Sequence, residues 1–316
     1  MERLFVSRDS KDLSVSEVFE MFIRAKQCTN LSQYTITYYN GCFSAFKKFY
    51  DVSQPCTDIS LETIEDYIFY IRSNTKMNDV TINTNLRGLR AFLYFAMERG
   101  YVKQFKIQLI RAQKKLKATY TDEELALLLK KPNMKTCSFV EYRNWAMINY
   151  LLATGNRLET MSKVKIGDID FNNHEIILKS TKNKKQYIIP LSQELSKVLS
   201  EYLTYRKGEK EDYLFCTLYG TPFAKRAIQT QIKEYNQKHG VLKTSIHAFR
   251  HTFAKKWILN GGDIIRLQSL LGHSNIEMVK EYVNMFSNDL KNGFNSFNPL
   301  DNFVRDKKSG ERIRMS

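Results

Sequence analysis

Glu175-Ile176-Ile177-Leu178-Lys179-Ser180-Thr181-Lys182-Asn183-Lys184-Lys185-Gln186-Tyr187-Ile188-Ile189-Pro190 is the stretch that sets the fold class. Two short runs rich in branched side chains flank a polar stretch, Thr181 to Gln186, the pattern of a β-hairpin, and Ile166 to Phe171 leads into it. Elsewhere apolar residues recur at three- and four-residue intervals, the spacing of helices. The chain therefore reads as mainly α with a small antiparallel β-sheet. The hairpin tip carries Lys182, Lys184 and Lys185, beside Lys179. A solvated basic turn that discourages edge pairing is the plain reading. The sharper one is a tip that enters a DNA groove and lets one Lys deliver a proton to a leaving oxygen. These residues alone do not choose between Lys182 and Lys184.

Working outward, two blocks emerge. The first opens with a capping-box pattern, Ser14-Val15-Ser16-Glu17, followed by Val18, Phe19, Phe22 and Ile23 at helical spacing. Further helices are expected over Thr35 to Tyr50, Ser60 to Ser73 and Asn78 to Arg99, the last ended by Gly100. Residues 14–102 are thus a helical bundle behind a short N-terminal extension, 1–13. Residues 103–117 carry Lys103, Lys106, Arg111, Lys114, Lys115 and Lys117 and no acidic residue, so they read as a basic interdomain linker. A solvated tether and a strap on the phosphate backbone are equally compatible with that composition. The second block, 118–290, begins with capping patterns at Thr121-Asp122-Glu123-Glu124 and Ser138-Phe139-Val140-Glu141. The latter opens an apolar helix through Trp145, Ile148, Leu151 and Leu152 that Gly155 stops. Helices resume at Ser192 and run to about Asn288. A C-terminal segment, 291–316, contains Phe294, Phe297, Leu300, Phe303 and Val304, apolar enough to be exchanged with a neighbouring subunit or to pack on its own domain. Residues 305 to 316 read as a mobile basic tail.

Composition bounds the function. With 316 residues and 43% hydrophobic content the chain can bury two cores, and a net charge of +16 gives a field that attracts polyanions, nucleic acid first among them. No run of eighteen apolar residues and no signal-peptide core is present, so a cytoplasmic protein without membrane contact is expected. Five Cys residues without a Cys-x-x-Cys pair suggest neither a disulfide framework nor a zinc site.

Several residues have chemistry to offer. Arg157 follows Gly155 at the start of a new helix, where a guanidinium can grip two phosphate oxygens; it could equally be a surface or ion-paired Arg. His247 and Arg250, three apart, project from one face of a helix whose other face carries Phe249, Phe253 and Trp257. Tyr282, nine residues after His273, is by default a half-buried core residue. On one straight helix the two would point apart. Gly272 and Ser274, a C-cap and an N-cap, supply a turn that lets them converge, and Ser274 to Glu277 has the capping-box pattern.

The order Arg157, Lys182, His247-x-x-Arg250, Leu271-Gly272-His273, Tyr282 resembles the tyrosine recombinase (phage integrase) family, which includes the Xer recombinases. The resemblance covers about Val15 to Asn288 and extends to Tyr150 through Gly155, Asp168-Ile169-Asp170, His251 after Arg250 and Ser274 after His273. Lys182 stands eight residues before Pro190, which favours Lys182 over its neighbours. The resemblance implies a helical, SAM-like core-binding domain followed by a mixed α+β catalytic domain. It implies a metal-independent recombinase or integrase in which Tyr282 forms a 3′-phosphotyrosyl bond. Arg157 and Arg250 would neutralise phosphate oxygens, His247 assist proton removal from the Tyr, His273 hydrogen-bond a phosphate oxygen and Lys182 protonate the 5′-oxygen. No cofactor is implied. The implied partners are double-stranded DNA with paired recombination sites, further copies of the chain (a dimer on one site, a synaptic tetramer) and, as an optional addition, an accessory DNA-bending protein. Lys103, Lys106, Arg111, Lys114, Lys115, Lys117, Lys184 and Lys185 are the DNA-contact candidates, and affinity is expected to fall steeply with salt. The chain departs from the family pattern at Thr160, where many relatives carry an acidic residue, and the neighbouring Glu159 should face elsewhere. A separate arm-binding domain is not expected ahead of Ser14. The alternatives are a type IB topoisomerase and a non-catalytic DNA-binding regulator of the same fold.

Overall fold

The computed structural model describes residues 13–113, 117–179, 187–272 and 282. Of the features above, the 1–12 part of the extension, Lys114, Lys115, Lys182, Lys184, Lys185, His273, the cap at Ser274 and the segment 291–316 lie outside the described residues. The chain divides into two compact units, Met1–Lys115 and Leu116–Ser316.

The first unit contains α1 (Val15–Cys28), α2 (Gln33–Phe46), α3 (Leu61–Asn74) and α4 (Asp79–Glu98). The Ser14 box forms in full: its side chain accepts from the Glu17 amide, and the Glu17 carboxylate accepts from the Ser14 amide at 2.9 Å. The helices of this unit close on an aromatic core. Phe19 stacks on Phe43 with ring centroids 3.7 Å apart, and Phe92 meets both edge-on. Truncating such a ring to Ala typically costs about 3–5 kcal/mol. Gly88 lies in the middle of α4 because a β-carbon there would collide with the Cys42 side chain of α2. The helices touch at that point, which offsets the ~1 kcal/mol penalty of a helical glycine.

Residues 103–111 do not leave the bundle as a free tether. Ile107 is buried in the same core, and the Asn83 side chain of α4 grips Ile110 twice, donating to its carbonyl at 2.8 Å and accepting from its amide at 3.0 Å. Lys103, Lys106 and Arg111 remain on the exposed side. The segment is a strap fixed to α4 with its cations outward.

The second unit is built around α6 (Phe139–Thr154), preceded by α5 (Asp122–Leu129). Ten of the sixteen α6 residues are buried, so the helix has no solvent stripe and is packed on all sides. Its N-terminus differs from expectation. Ser138 accepts from the Glu141 amide, but the Glu141 carboxylate pairs with Lys238 at 3.0 Å instead of returning to the cap. A cross-element ion pair has displaced a local hydrogen bond.

After α7 (Leu158–Met161) the chain enters a three-stranded antiparallel sheet in the order β1 (Ile169–Asp170), β2 (Glu175–Leu178), β3 (Tyr187–Pro190). Ile176 pairs with Ile189 on the buried face, whereas Ile188, opposite Ile177, is exposed. The expected hairpin register is therefore present. Asp168, 3% exposed, anchors the base of β2 through an ion pair of 2.6 Å with Lys179. The unit is completed by α8 (Gln193–Arg206), α9 (Lys225–Lys238), α10 (Ile246–Leu259) and α11 (Ile264–Leu271), with α8, α9 and α10 all packing on α6.

Candidate active site

The local fold at the end of α6 decides where Arg157 points. Gly155 closes the helix in the left-handed conformation (φ +61°), and its amide bonds back to the Leu151 carbonyl. Asn156, 2% exposed, then donates to the buried Tyr150 hydroxyl at 2.9 Å, and its own amide donates to the Thr154 hydroxyl. The Thr154 hydroxyl in turn donates to the Tyr150 carbonyl at 2.7 Å. These bonds fix the turn, and Arg157 emerges from it as the N-cap of α7. Among the described residues Arg157 has neither a hydrogen-bonded nor an ion-paired partner, so its guanidinium is uncommitted.

A β-carbon at position 155 would lie 2.6 Å from Phe253 Cδ1 and 2.9 Å from Leu271 Cδ2, on top of an unfavourable φ. Gly155→Ala is expected to destabilise the second unit by more than about 2 kcal/mol, measured by thermal unfolding. An unchanged midpoint would show that this turn relaxes freely.

Arg250 lies at the centre. It is 5% exposed; one terminal nitrogen donates to the Gly155 carbonyl and the other to the Leu271 carbonyl, both at 2.8 Å. The sequence placed His247 and Arg250 together on an open helix face, and here the two part company. His247 is exposed, whereas Arg250 is buried and ties the ends of α6 and α11 to α10. Burial, followed by the nearby Arg157 guanidinium, pulls the Arg250 pKa down to about 10. It remains a cation at neutral pH. Partial desolvation of its ring against the protein, and then the charges of Arg250 and Arg157, lower the His247 pKa. Tyr187, first residue of β3, also reaches this cluster: burial raises its pKa while Arg250 and Arg157 oppose the shift. Its hydroxyl would be 3.0 Å from a β-carbon at Gly272, the left-handed cap of α11.

Tyr282 joins the same place. It is 3% exposed, within a small core formed by Ala254, Leu267 and Leu271. Its hydroxyl lies close to the Arg250 side chain and 2.9 Å from Nδ1 of His251. The Lys117 ammonium stands 4.9 Å from the ring centroid, a cation–π arrangement. Lys117 is held there because Tyr120, three residues on, donates its amide to Thr252 of α10 at 2.8 Å and stacks on Phe249.

Arg157, the pair His247 and Arg250 on α10, and Tyr282, from three separate stretches, thus converge. Lys182 and His273 lie outside the described residues. Sequence reasoning gave no role to His251 or Tyr187; the His directly after Arg250 was the available signal for the first, and nothing local pointed to the second. Thr160, the departure from the family pattern, is buried, and Glu159 turns away to Lys163 at 3.2 Å and Lys225 at 3.7 Å.

Comparison with known proteins gives the family of the chain. The profile of the phage integrase family matches residues 119–288, and that of the phage integrase SAM-like domain matches residues 14–115. Among curated relatives, tyrosine recombinase XerC of Lactobacillus delbrueckii subsp. bulgaricus is 29% identical over 286 residues, 86% of this chain and 95% of the relative. XerC of Bacillus subtilis is 27% identical over 300 residues, 90% and 97% of the two chains. Among solved structures, the Tn1549 transposon integrase in complex with transposon right end DNA superposes with a TM-score of 0.71 at 22% identity, covering 85% of this chain and 94% of that one. A lambda integrase dimer bound to a core site gives 0.70 at 14% identity, covering 96% and 99%. At those identities the structures speak for the fold, and the matched profile speaks for the family: this chain belongs to the phage integrase family, the tyrosine recombinases.

Proposed function

We propose that the chain cuts and rejoins DNA at paired recombination sites, with Tyr282 as nucleophile and Arg157 and Arg250 as the phosphate cradle. One observation carries the assignment of residues: the buried Tyr282 hydroxyl lies beside Arg250, which is close to the guanidinium of Arg157 and to His247. Two cations held close together in a low-dielectric setting repel each other, and an anion between them relieves the repulsion. A phosphodiester has the required charge and geometry. As the phosphorus becomes five-coordinate, charge grows on the non-bridging oxygens, and preorganised guanidinium groups stabilise it more than they stabilise the starting ester. Attack by the Tyr282 oxygen breaks the bond to the 5′-oxygen, which Lys182 protonates, and leaves a 3′-phosphotyrosine. The bond energy is kept, so the 5′-hydroxyl of a partner strand can reverse the step without a nucleotide cofactor. His273 completes the set as a hydrogen-bond donor to a phosphate oxygen.

DNA as substrate is supported by the net charge of +16 and by the exposed Lys103, Lys106 and Arg111 along the strap. Lys114, Lys115, Lys184 and Lys185 are the further DNA-contact candidates of the sequence. Residues 14–102 serve as the core-binding domain, 103–117 as the linker and 118–290 as the catalytic domain. Two duplexes require four protomers, so a dimer on each site and a synaptic tetramer follow, with 291–316 exchanged between subunits. An accessory DNA-bending protein is compatible with the scheme. No described helix is long and apolar enough to cross a membrane, and we place the reaction in the cytoplasm, where the DNA is.

The test is a nicked suicide duplex from the flanks of the encoding gene, incubated in EDTA and resolved on a denaturing gel. A covalent adduct that maps to Tyr282 is expected. An adduct on another residue, or one formed only with magnesium, overturns the assignment.

A further inference from the structure

The geometry points to His251, not His247, as the group that takes the proton from Tyr282 when the phosphotyrosyl bond forms. This deepens the reading of Tyr282 as nucleophile and rests on it. A guanidinium has donors only, so the Arg250 side chain beside Tyr282 offers the phenolic hydrogen no acceptor. The phenolic hydrogen is then left to point elsewhere, and Nδ1 of His251 stands 2.9 Å from the oxygen. That distance suits an O–H donating to an unprotonated ring nitrogen, the arrangement open to the imidazole tautomer that carries its hydrogen on Nε2. The rings are 5.5 Å apart and tilted by 49°, so the contact is made at the ring edge and not by stacking.

His247 is not placed for this task. Among the described residues it has no hydrogen bond to the phenol, and it sits at the exposed end of the cradle beside both guanidiniums. Position 251 follows Arg250 directly on α10, so it projects about 100° around the helix from Arg250, toward the small core that holds the Tyr282 ring. One residue on the helix therefore holds the phosphate and the next holds the nucleophile. The Lys117 ammonium, 4.9 Å from the phenol ring, favours the negative charge that the oxygen acquires as its proton departs.

The step balances as follows. The bond from the Tyr282 oxygen to phosphorus forms while the bond from phosphorus to the 5′-oxygen breaks. The phenolic proton passes to Nδ1 of His251, and the 5′-oxygen takes its proton from Lys182. In religation the His251 proton returns to Tyr282 as the phenol leaves.

The test uses the full chain and the suicide duplex under single-turnover conditions, with DNA affinity and thermal midpoint measured in parallel. His251→Ala is expected to slow adduct formation by about 10²–10⁴-fold with affinity and midpoint kept, and free imidazole to restore part of the rate. His251→Asn, whose amide oxygen falls near the position of Nδ1 but is too weak a base to hold the proton, is expected to be nearly as slow as His251→Ala. A His251→Ala protein that cleaves at the wild-type rate overturns the inference. So does a slow His251→Ala variant that free imidazole fails to improve, or a His251→Asn protein that cleaves at the wild-type rate. A wild-type protein without an adduct on Tyr282 overturns the underlying assignment as well, which separates the two failures.

Discussion

Tyr282→Phe is expected to bind DNA with unchanged affinity and to form no detectable covalent adduct or exchanged strand. The substitution removes one oxygen from a side chain that is 3% exposed. The ring keeps its place against Leu267 and Leu271, and its face remains available to Lys117. What is lost is the oxygen proposed as the nucleophile, together with its hydrogen bond to His251. The loss of stability is about 1 kcal/mol, the net value of a typical hydrogen bond, offset in part because Phe carries no buried hydroxyl. The loss of activity is total in a denaturing gel, because another oxygen would have to enter a cradle shaped around this one. A Phe variant that still forms the adduct would move the nucleophile to a different residue.

Arg250→Ala is expected to damage both folding and chemistry, and Arg157→Ala the chemistry alone. Both guanidiniums face the same phosphate in the proposed scheme, but only Arg250 also holds the framework, through the carbonyls of Gly155 and Leu271. Its removal leaves two buried acceptors unpaired, at about 1–3 kcal/mol each. The thermal midpoint should fall by several degrees. Loss of a preorganised donor to the transition state lowers the cleavage rate by about 10²–10³-fold in either variant. Arg157 has no partner to abandon among the described residues, so its Ala variant should keep the wild-type midpoint. Equal midpoints for the two variants would contradict the dual role assigned to Arg250. Single-turnover cleavage together with thermal unfolding makes the comparison.

Much of the architecture was legible beforehand, for local reasons. The capping pairs at Ser14 and Thr121, the stop at Gly155 and the alternation in Glu175 to Leu178 each depend on residues within a few positions of one another. Where a local expectation failed, a distant partner had intervened. Glu141 left its cap for Lys238, and the basic linker, readable as a free tether, is fastened by Asn83 of α4. Composition gives the charge of a segment and says nothing about which side chain from another helix will hold it.

The sequence by itself determined the helical bundle, the small sheet and the inventory of reactive groups, because backbone propensity and apolar periodicity act over one or two turns. Only the tertiary structure decided that Arg250 is a buried tie as well as a cradle, and that Tyr282 rests on His251 and under Lys117. The hydrogen bonds among them join α10 to residues 21 to 95 positions away. Their geometry follows from how the second unit packs around α6, a cooperative outcome that no single stretch of the chain encodes.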